Sequence, residues 1–205
     1  MAFGDQRMNT NSPKTITVLG IDPALRNFGF AIAKVDVEKN EIVEILDLKL
    51  VRTEDQKGKT VRRNSDDLRR ATQHVNALKT LSKKVAISFA EVPVGSQSAR
   101  AMASYGICIG ILASCESGLI QVTPTQVKVE AVGDKTATKE EMIEWASNKF
   151  PDAPWLKTKF RGQEKLKNEN EHLADAIGAI NAGLKSTDWL QLRGVILEPS
   201  RLNLS

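Results

Sequence analysis

No stretch of this chain holds enough consecutive apolar residues to cross a bilayer. Its first residues, MAFGDQRMNTNSP, also lack the basic start and apolar middle of a secretory leader. The expectation is a soluble, intracellular protein with no membrane partner. Cysteine is scarce. Cys108 and Cys115 stand seven residues apart in one expected helix, about 10 Å along its axis and too far to bridge, so a disulfide framework is excluded and both read as buried thiols. There is no internal repeat, low-complexity tract or linker, and no glycine loop of the P-loop type.

What is present is ordinary in bulk. At 205 residues the chain has the length of one domain with a sizeable core. The net charge of +4 leans towards a polyanionic partner. Basic residues gather in two places: Lys57, Lys59, Arg62, Arg63, Arg69 and Arg70, and later Lys157, Lys159, Arg161, Lys165 and Lys167.

The chain turns on TITVLGIDPALRNFGF, residues 15–30. Its apolar, β-branched run predicts a strand buried on both faces. The run ends in Asp22, which Pro23 holds in an extended backbone. Apolar runs at 28–35 and 42–51 predict two further strands of a meander. A charged loop over 52–64 leads to a helix capped by Ser65, with Leu68, Ala71, Val75, Leu78 and Leu81 at helical spacing. VAISFA, 85–90, predicts another buried strand, and it too ends in an acid, Glu91.

A helix over 96–116 carries Ala99, Ala103, Gly106, Gly110 and Ala113, small residues that allow close packing. The strand 119–122 stops at Thr123, and Pro124 suits the first turn of a short helix. Thr138 and Glu141 have capping-box spacing. Residues 152–168 read as a loop, 169–183 as a helix burying Leu173, Ile177 and Ile180, and 186–205 show no period. The organisation expected is a flexible lead over 1–14, one domain over 15–185 and an extension over 186–205.

On the 169–183 helix, His172 and Asp175 are three apart, about 60° around the axis and on one face. Ala176 and Ala179 beside them leave room for a sheet edge. Taken singly, Asp22 reads as a turn acid before proline, Glu91 as a solvated strand-end charge, and His172 and Asp175 as helix-surface residues. Taken together they form a set that could converge. Three carboxylates in one place repel unless a cation sits between them, and oxygen ligands with one imidazole suit Mg²⁺ or Mn²⁺. Two such ions would clamp the attacking and leaving oxygens of a phosphodiester hydrolysis.

The blocks GIDPALRNFGFAI, AEVPVGSQSARAMASYGICIGIL, TPTQVKVEAVGDKTATKEEM and EHLADAIGAI resemble, in order, the four motif regions of the RuvC-type Holliday junction resolvases. The resemblance spans residues 16–183. It implies an α/β, RNase H-like fold, a mixed five-stranded sheet with helices on both faces, acting as a homodimer on four-way DNA junctions. By the same resemblance, Asp22, Glu91, His172 and Asp175 are the metal ligands of a two-ion Mg²⁺ site, with Mn²⁺ as an alternative ion. The family varies between aspartate and histidine at the position of His172. Lys128 and Lys139 match two basic positions near the scissile phosphate, and they read equally as solvated lysines. The helix over 96–116 matches a dimer-forming region, although its small residues suit an internal contact as well.

The chain also departs from that pattern. Where the family carries an aromatic just after the second acid, this loop reads VPVGSQSAR, and the segment 152–168, with Trp155 and Phe160, is longer and more basic than expected. These differences and the terminal additions resemble a phage or other viral relative. The function implied is a metal-dependent, structure-selective endonuclease that resolves four-way junctions by paired nicks, with the two basic clusters, 57–70 and 157–167, holding DNA phosphates. Alternatives are a nuclease for flaps or other branched DNA, and a branched-DNA-binding protein that keeps the fold without cutting. An actin-like phosphotransferase would need two such lobes, for which this chain is too short.

Overall fold

The computed structural model describes residues 14–58 and 60–198. The expected lead over 1–13, Lys59 and the end of the extension, 199–205, lie outside the described residues. The three strands β1 (Thr15–Asp22), β2 (Asn27–Asp36) and β3 (Glu41–Arg52) form the antiparallel meander. Helix α1 (Arg63–Ser82) returns the chain to β4 (Ile87–Glu91), which pairs parallel with β1. Helix α2 (Ala99–Leu112) then leads to β5 (Gly118–Val122), parallel to β4. The five-stranded sheet has the order β3-β2-β1-β4-β5. It is followed by α3 (Pro124–Val132), α4 (Lys139–Lys149), the hairpin strands β6 (Lys157–Phe160) and β7 (Gln163–Leu166), and helices α5 (Asn170–Gly183) and α6 (Thr187–Leu197).

Strand alternation divides the core into two layers, one on each side of the sheet. Leu19, Ile21, Phe28, Phe30 and Ala90 pack with Leu78 and Leu81 of α1 and Ile111 and Leu112 of α2. Val18, Ala31, Ala33, Phe89 and Ile120 face the opposite way, onto Leu173, Ala176, Ile177 and Ile180 of α5, with Val127 of α3, Met142 of α4 and Trp189 of α6 around them. Helices therefore cover both faces, as the RNase H-like pattern requires. The expected capping box forms at Thr138 with Glu141, a second forms at Thr123 with Gln126, and Pro124 opens α3. Both cysteines are free thiols.

Four details differ from the sequence reading. Helix α1 starts at Arg63, so Ser65 lies inside its first turn and does not cap it. Leu68 is 68% exposed, and Asp66, Asp67, Arg70 and His74 turn inwards on that helix. Burial of these polar groups is offset by pairing, with Arg100 bonded to Asp67 at 2.5 and 2.7 Å and Arg70 to Thr53 at 3.0 Å. Residues 152–168 contain an antiparallel hairpin, β6 with β7, rather than an irregular loop. Residues 186–197 include α6, whose Trp189 is fully buried edge-on against Phe89, ring centroids 5.7 Å apart.

Candidate active site

The position of Asp22 follows from the sheet register. Gly20 of β1 pairs with Phe89 of β4, and Ile21 with Ala90, so the next residues along the two parallel strands are Asp22 and Glu91. Period-two alternation turns both onto the α5 side, because Gly20 and Phe89, two residues earlier, face α5. Two strands that end in acids thus place those acids side by side at the carboxyl edge of the sheet.

Helix α5 reaches this edge because glycine lets it approach. A Cβ on Gly20 would lie 2.0 Å from the Ala176 carbonyl oxygen, and one on Gly29 would lie 2.2 Å from that of His172. Gly29 is the cross-strand partner of Asp22. The backbone of His172 therefore rests directly on the strand beside Asp22, and its ring Nδ1 donates to Asp22 Oδ2 at 2.7 Å. Nε2 of the same ring stands 3.3 Å from Glu171 Oε1, and Glu171 in turn accepts from Lys139 of α4 at 2.8 Å.

The electrostatics report the crowding. Burial pushes Glu91 up to about 8, and the charges of Asp22 and Asp175 add to it while Lys128 opposes them. Burial and then Asp22 push Asp175 up to about 7, against His172 and Lys128. Asp22, 8% exposed, is also raised by burial, with His172 countering. For His172, burial works against the charged ring. The hydrogen bond to Asp22 and the charges of Asp22, Glu171 and Asp175 outweigh it and raise its pKa. Asp22, Glu91, His172 and Asp175 are thus brought together, with Lys128 and Lys139 within electrostatic reach on the rim.

By chemical type, oxygen donors with one imidazole suit a divalent cation. Three carboxylates crowd one sheet edge where all three are pushed towards their neutral forms, and a cation among them would let all three ionise. Among the described residues no three His, Cys, Asp or Glu side chains are arranged, as they stand, to hold one ion.

The expected DNA-binding residues separate into groups. Lys57, Arg62 and Arg63 are exposed on the loop before α1 and at its start. Lys59 lies outside the described residues. Arg69 is bonded to Asp66 and to the Glu54 carbonyl, both at 2.7 Å. Arg70 is 5% exposed and paired with Asp55 and Asp67, so in place of the phosphate contact expected of it, it ties a loop to α1. Lys157, Lys159, Arg161 and Lys165 are all exposed on the β6–β7 hairpin, and Lys167 follows it.

Sequence reasoning missed Glu171, Gly20 and Gly29 as parts of the site. All three lie inside the motif blocks, but adjacent helix residues ordinarily face apart. Its 3.3 Å approach to the His172 ring and the reach of Lys139 from another helix show that Glu171 belongs with His172.

No protein-family model matches the chain, and no curated protein sequence matches it. Solved structures do match. RuvC of T. thermophilus in complex with Holliday junction substrate is 19% identical with a TM-score of 0.58, the match covering 82% of this chain and 92% of that one. A second structure of Thermus thermophilus RuvC is 18% identical with a TM-score of 0.52, covering 86% of this chain and 96% of that one. At such identity the likeness is one of fold. With its mixed five-stranded sheet and helices on both faces, this chain is a fold relative of RuvC.

Proposed function

We propose that this chain is a crossover junction endodeoxyribonuclease, a divalent-metal-dependent enzyme that resolves four-way DNA junctions by paired symmetric nicks. The observation that carries the reading is the convergence of Asp22, Glu91, His172 and Asp175 at one sheet edge, where burial, with the charges of Asp22 and Asp175 adding to it, pushes Glu91 to about 8. The RuvC fold relative in complex with a Holliday junction supports the choice of DNA branch.

Asp22, Glu91, His172 and Asp175 would hold Mg²⁺, or Mn²⁺, in a two-ion site. When bound, such ions supply a water ionised at neutral pH and offset charge on the leaving 3′ oxygen of an in-line hydrolysis. The chain's own groups do the rest. Lys128 and Lys139 bring positive charge to the rim, where the phosphoryl oxygens gather charge as the bond breaks. Glu171 holds Lys139 at 2.8 Å and so orients it. His172 is poised between two carboxylates, and only its neutral ring has a lone pair for a ligand. Exposed cations at Arg62, Arg63 and on the hairpin hold phosphates without reading sequence, which suits recognition of branch shape.

Paired nicks require two sites, and we propose a homodimer. The outer side of α2 is its supporting feature: Met102 and Ile109 are 46% and 47% exposed, and Gly106 and Gly110 have open space beside them.

The test incubates the chain and Asp22→Asn with Mg²⁺ and end-labelled four-way junction, flap and linear duplex, and maps the products. The expected result is paired symmetric nicks in the junction, reduced at least about 100-fold by Asp22→Asn while junction binding persists. Preferential cutting of flaps would replace this reading with a broader branched-DNA nuclease. Binding without metal-dependent cutting would replace it with a non-catalytic binding protein.

A further inference from the structure

The two aromatics of residues 152–168 have opposite surroundings. Trp155 is 7% exposed, and its indole N–H donates to the Phe150 carbonyl at 2.9 Å. It belongs to the core. Phe160 is 59% exposed at the tip of the β6–β7 hairpin. A phenylalanine left in water forgoes about 2 kcal/mol of burial.

The hairpin presents this ring firmly. Its turn is the two-residue link Arg161-Gly162, with φ of 51° and 80°, the left-handed pair that matches strand twist. Its base is clamped by Asn170, the fully buried first residue of α5, which bonds the N–H and the C=O of Leu156 at 3.0 and 2.8 Å. The hairpin is therefore tied to the helix that carries His172 and Asp175.

Cross-strand register sorts the hairpin into two faces. Phe160 pairs with Gln163 and Thr158 with Lys165, and these share one face. That face borders a cleft of about 520 Å³, lined by Phe160, Thr158, Lys165, Lys167 and Glu169. The charge of Glu169 is taken by Arg52. Lys165 and Lys167 have no ion pair among the described residues, and the Arg161 guanidinium lies 5.2 Å from the Phe160 ring centroid. Lys157 and Lys159 lie on the other face, where Lys157 pairs with Glu164 at 3.1 Å.

We propose that this face is a stacking platform for an unstacked nucleobase of the bound DNA, with Phe160 against the base and Lys165 and Lys167 on the flanking phosphates. The combination of an exposed aromatic face and unpaired cations selects a polyanion that offers a π-face. A base shows that face only where it has lost a stacking neighbour, as at a branch point, and not inside a duplex. This inference rests on the branched-DNA reading above and adds the element that engages the branch.

The test uses a four-way junction and a matched duplex, each with 2-aminopurine in place of one base, at the crossing in the junction and in the middle of the duplex. Both are titrated with Asp22→Asn chain so that strands stay intact, and with the same chain also carrying Phe160→Ala, Phe160→Leu or Phe160→Tyr. Phe160→Ala should weaken junction binding about 10-fold, change the 2-aminopurine signal at the crossing and leave duplex binding unaltered. Phe160→Tyr should retain both properties, and Phe160→Leu, apolar but without a π-face, should lose them. Junction preference that survives Phe160→Ala with the same signal overturns the platform alone. If the chain with Phe160 intact shows no preference for the junction over duplex, the branched-DNA reading falls and the platform with it.

Discussion

At the scale of single residues, His172 and Asp22 are the most informative pair, because their 2.7 Å hydrogen bond joins two groups that are both raised. Glu91 moves from an ordinary value near 4.5 to about 8, so the folded chain holds a proton that the unfolded chain releases. Below about pH 4 both states are protonated and nothing is lost. As pH rises towards about 8 the folded state loses ground, by the order of a few kcal/mol. Asp175 acts in the same sense as pH rises to about 7. His172, raised, contributes stability below its ordinary pKa and loses it as pH rises through its folded one. We therefore expect the melting temperature in EDTA to be lower at pH 8 than at pH 6. Mg²⁺ should raise it at both, and more at pH 8, where the carboxylates are ready to ionise. Asp175→Asn should flatten the fall in EDTA and blunt the Mg²⁺ effect. A melting temperature indifferent to pH and Mg²⁺ would mean that these charges are not crowded. Glu171→Gln, which releases Lys139 while sparing the four expected ligands, should reduce cleavage by about 10- to 100-fold, measured as single-turnover rate on the junction.

At the scale of elements, the site depends on how closely α5 lies on β1 and β2. Gly20 and Gly29 are spacers of zero thickness, and the atoms their Cβ would strike are backbone carbonyls of α5 that no rotamer change can move. Gly29→Ala should destabilise the fold by about 3 kcal/mol, seen as a lower urea midpoint, and should also separate His172 from Asp22. A variant with unchanged stability would mean that α5 is not seated there. Helix α6 is held differently, by one large residue. Trp189→Ala should cost about 3–5 kcal/mol, since Trp189 is fully buried against Phe89 and its indole N–H donates to Asn40 at 2.6 Å. A change below about 1 kcal/mol would show α6 to be dispensable to the core.

At the scale of the whole molecule, the net charge of +4 says less than where the cations stand. Arg62, Arg63, Lys165 and Lys167 are exposed, whereas Arg70 is 5% exposed and committed to acids. Replacing the four exposed residues with glutamine should weaken junction binding and flatten its dependence on log salt by about 0.9 for each phosphate that is no longer neutralised. Arg70→Gln should instead leave the slope unchanged and lower stability by about 1–2 kcal/mol, because the buried bonds to Thr53 and Asp55 are lost while Arg100 still pairs Asp67. Equal slopes in all variants would return Arg62, Arg63, Lys165 and Lys167 to ordinary solvated charge.

What the sequence by itself determined was the frame: apolar runs, buried on both faces, that end in Asp22 and Glu91, and a final helix with His172 and Asp175 on one face. Those features are legible because burial imposes periodicity, and a charged residue that breaks an apolar run stands out. The parts that escaped are those where burial leaves no pattern. Strands β6 and β7 are exposed along almost their whole length, so no alternation marks them, and α6 rests on a single buried tryptophan, too few to set a period. Helix α1 misled in the opposite way. Its inward side carries Asp67, Arg70 and His74, polar groups that register as surface until their partners, on other elements, are in place. Convergence itself belonged to the tertiary structure alone. Registers between strands, and the seating of α5 on Gly20 and Gly29, bring residues 150 positions apart to within a hydrogen bond, and no local spacing encodes a contact of that range.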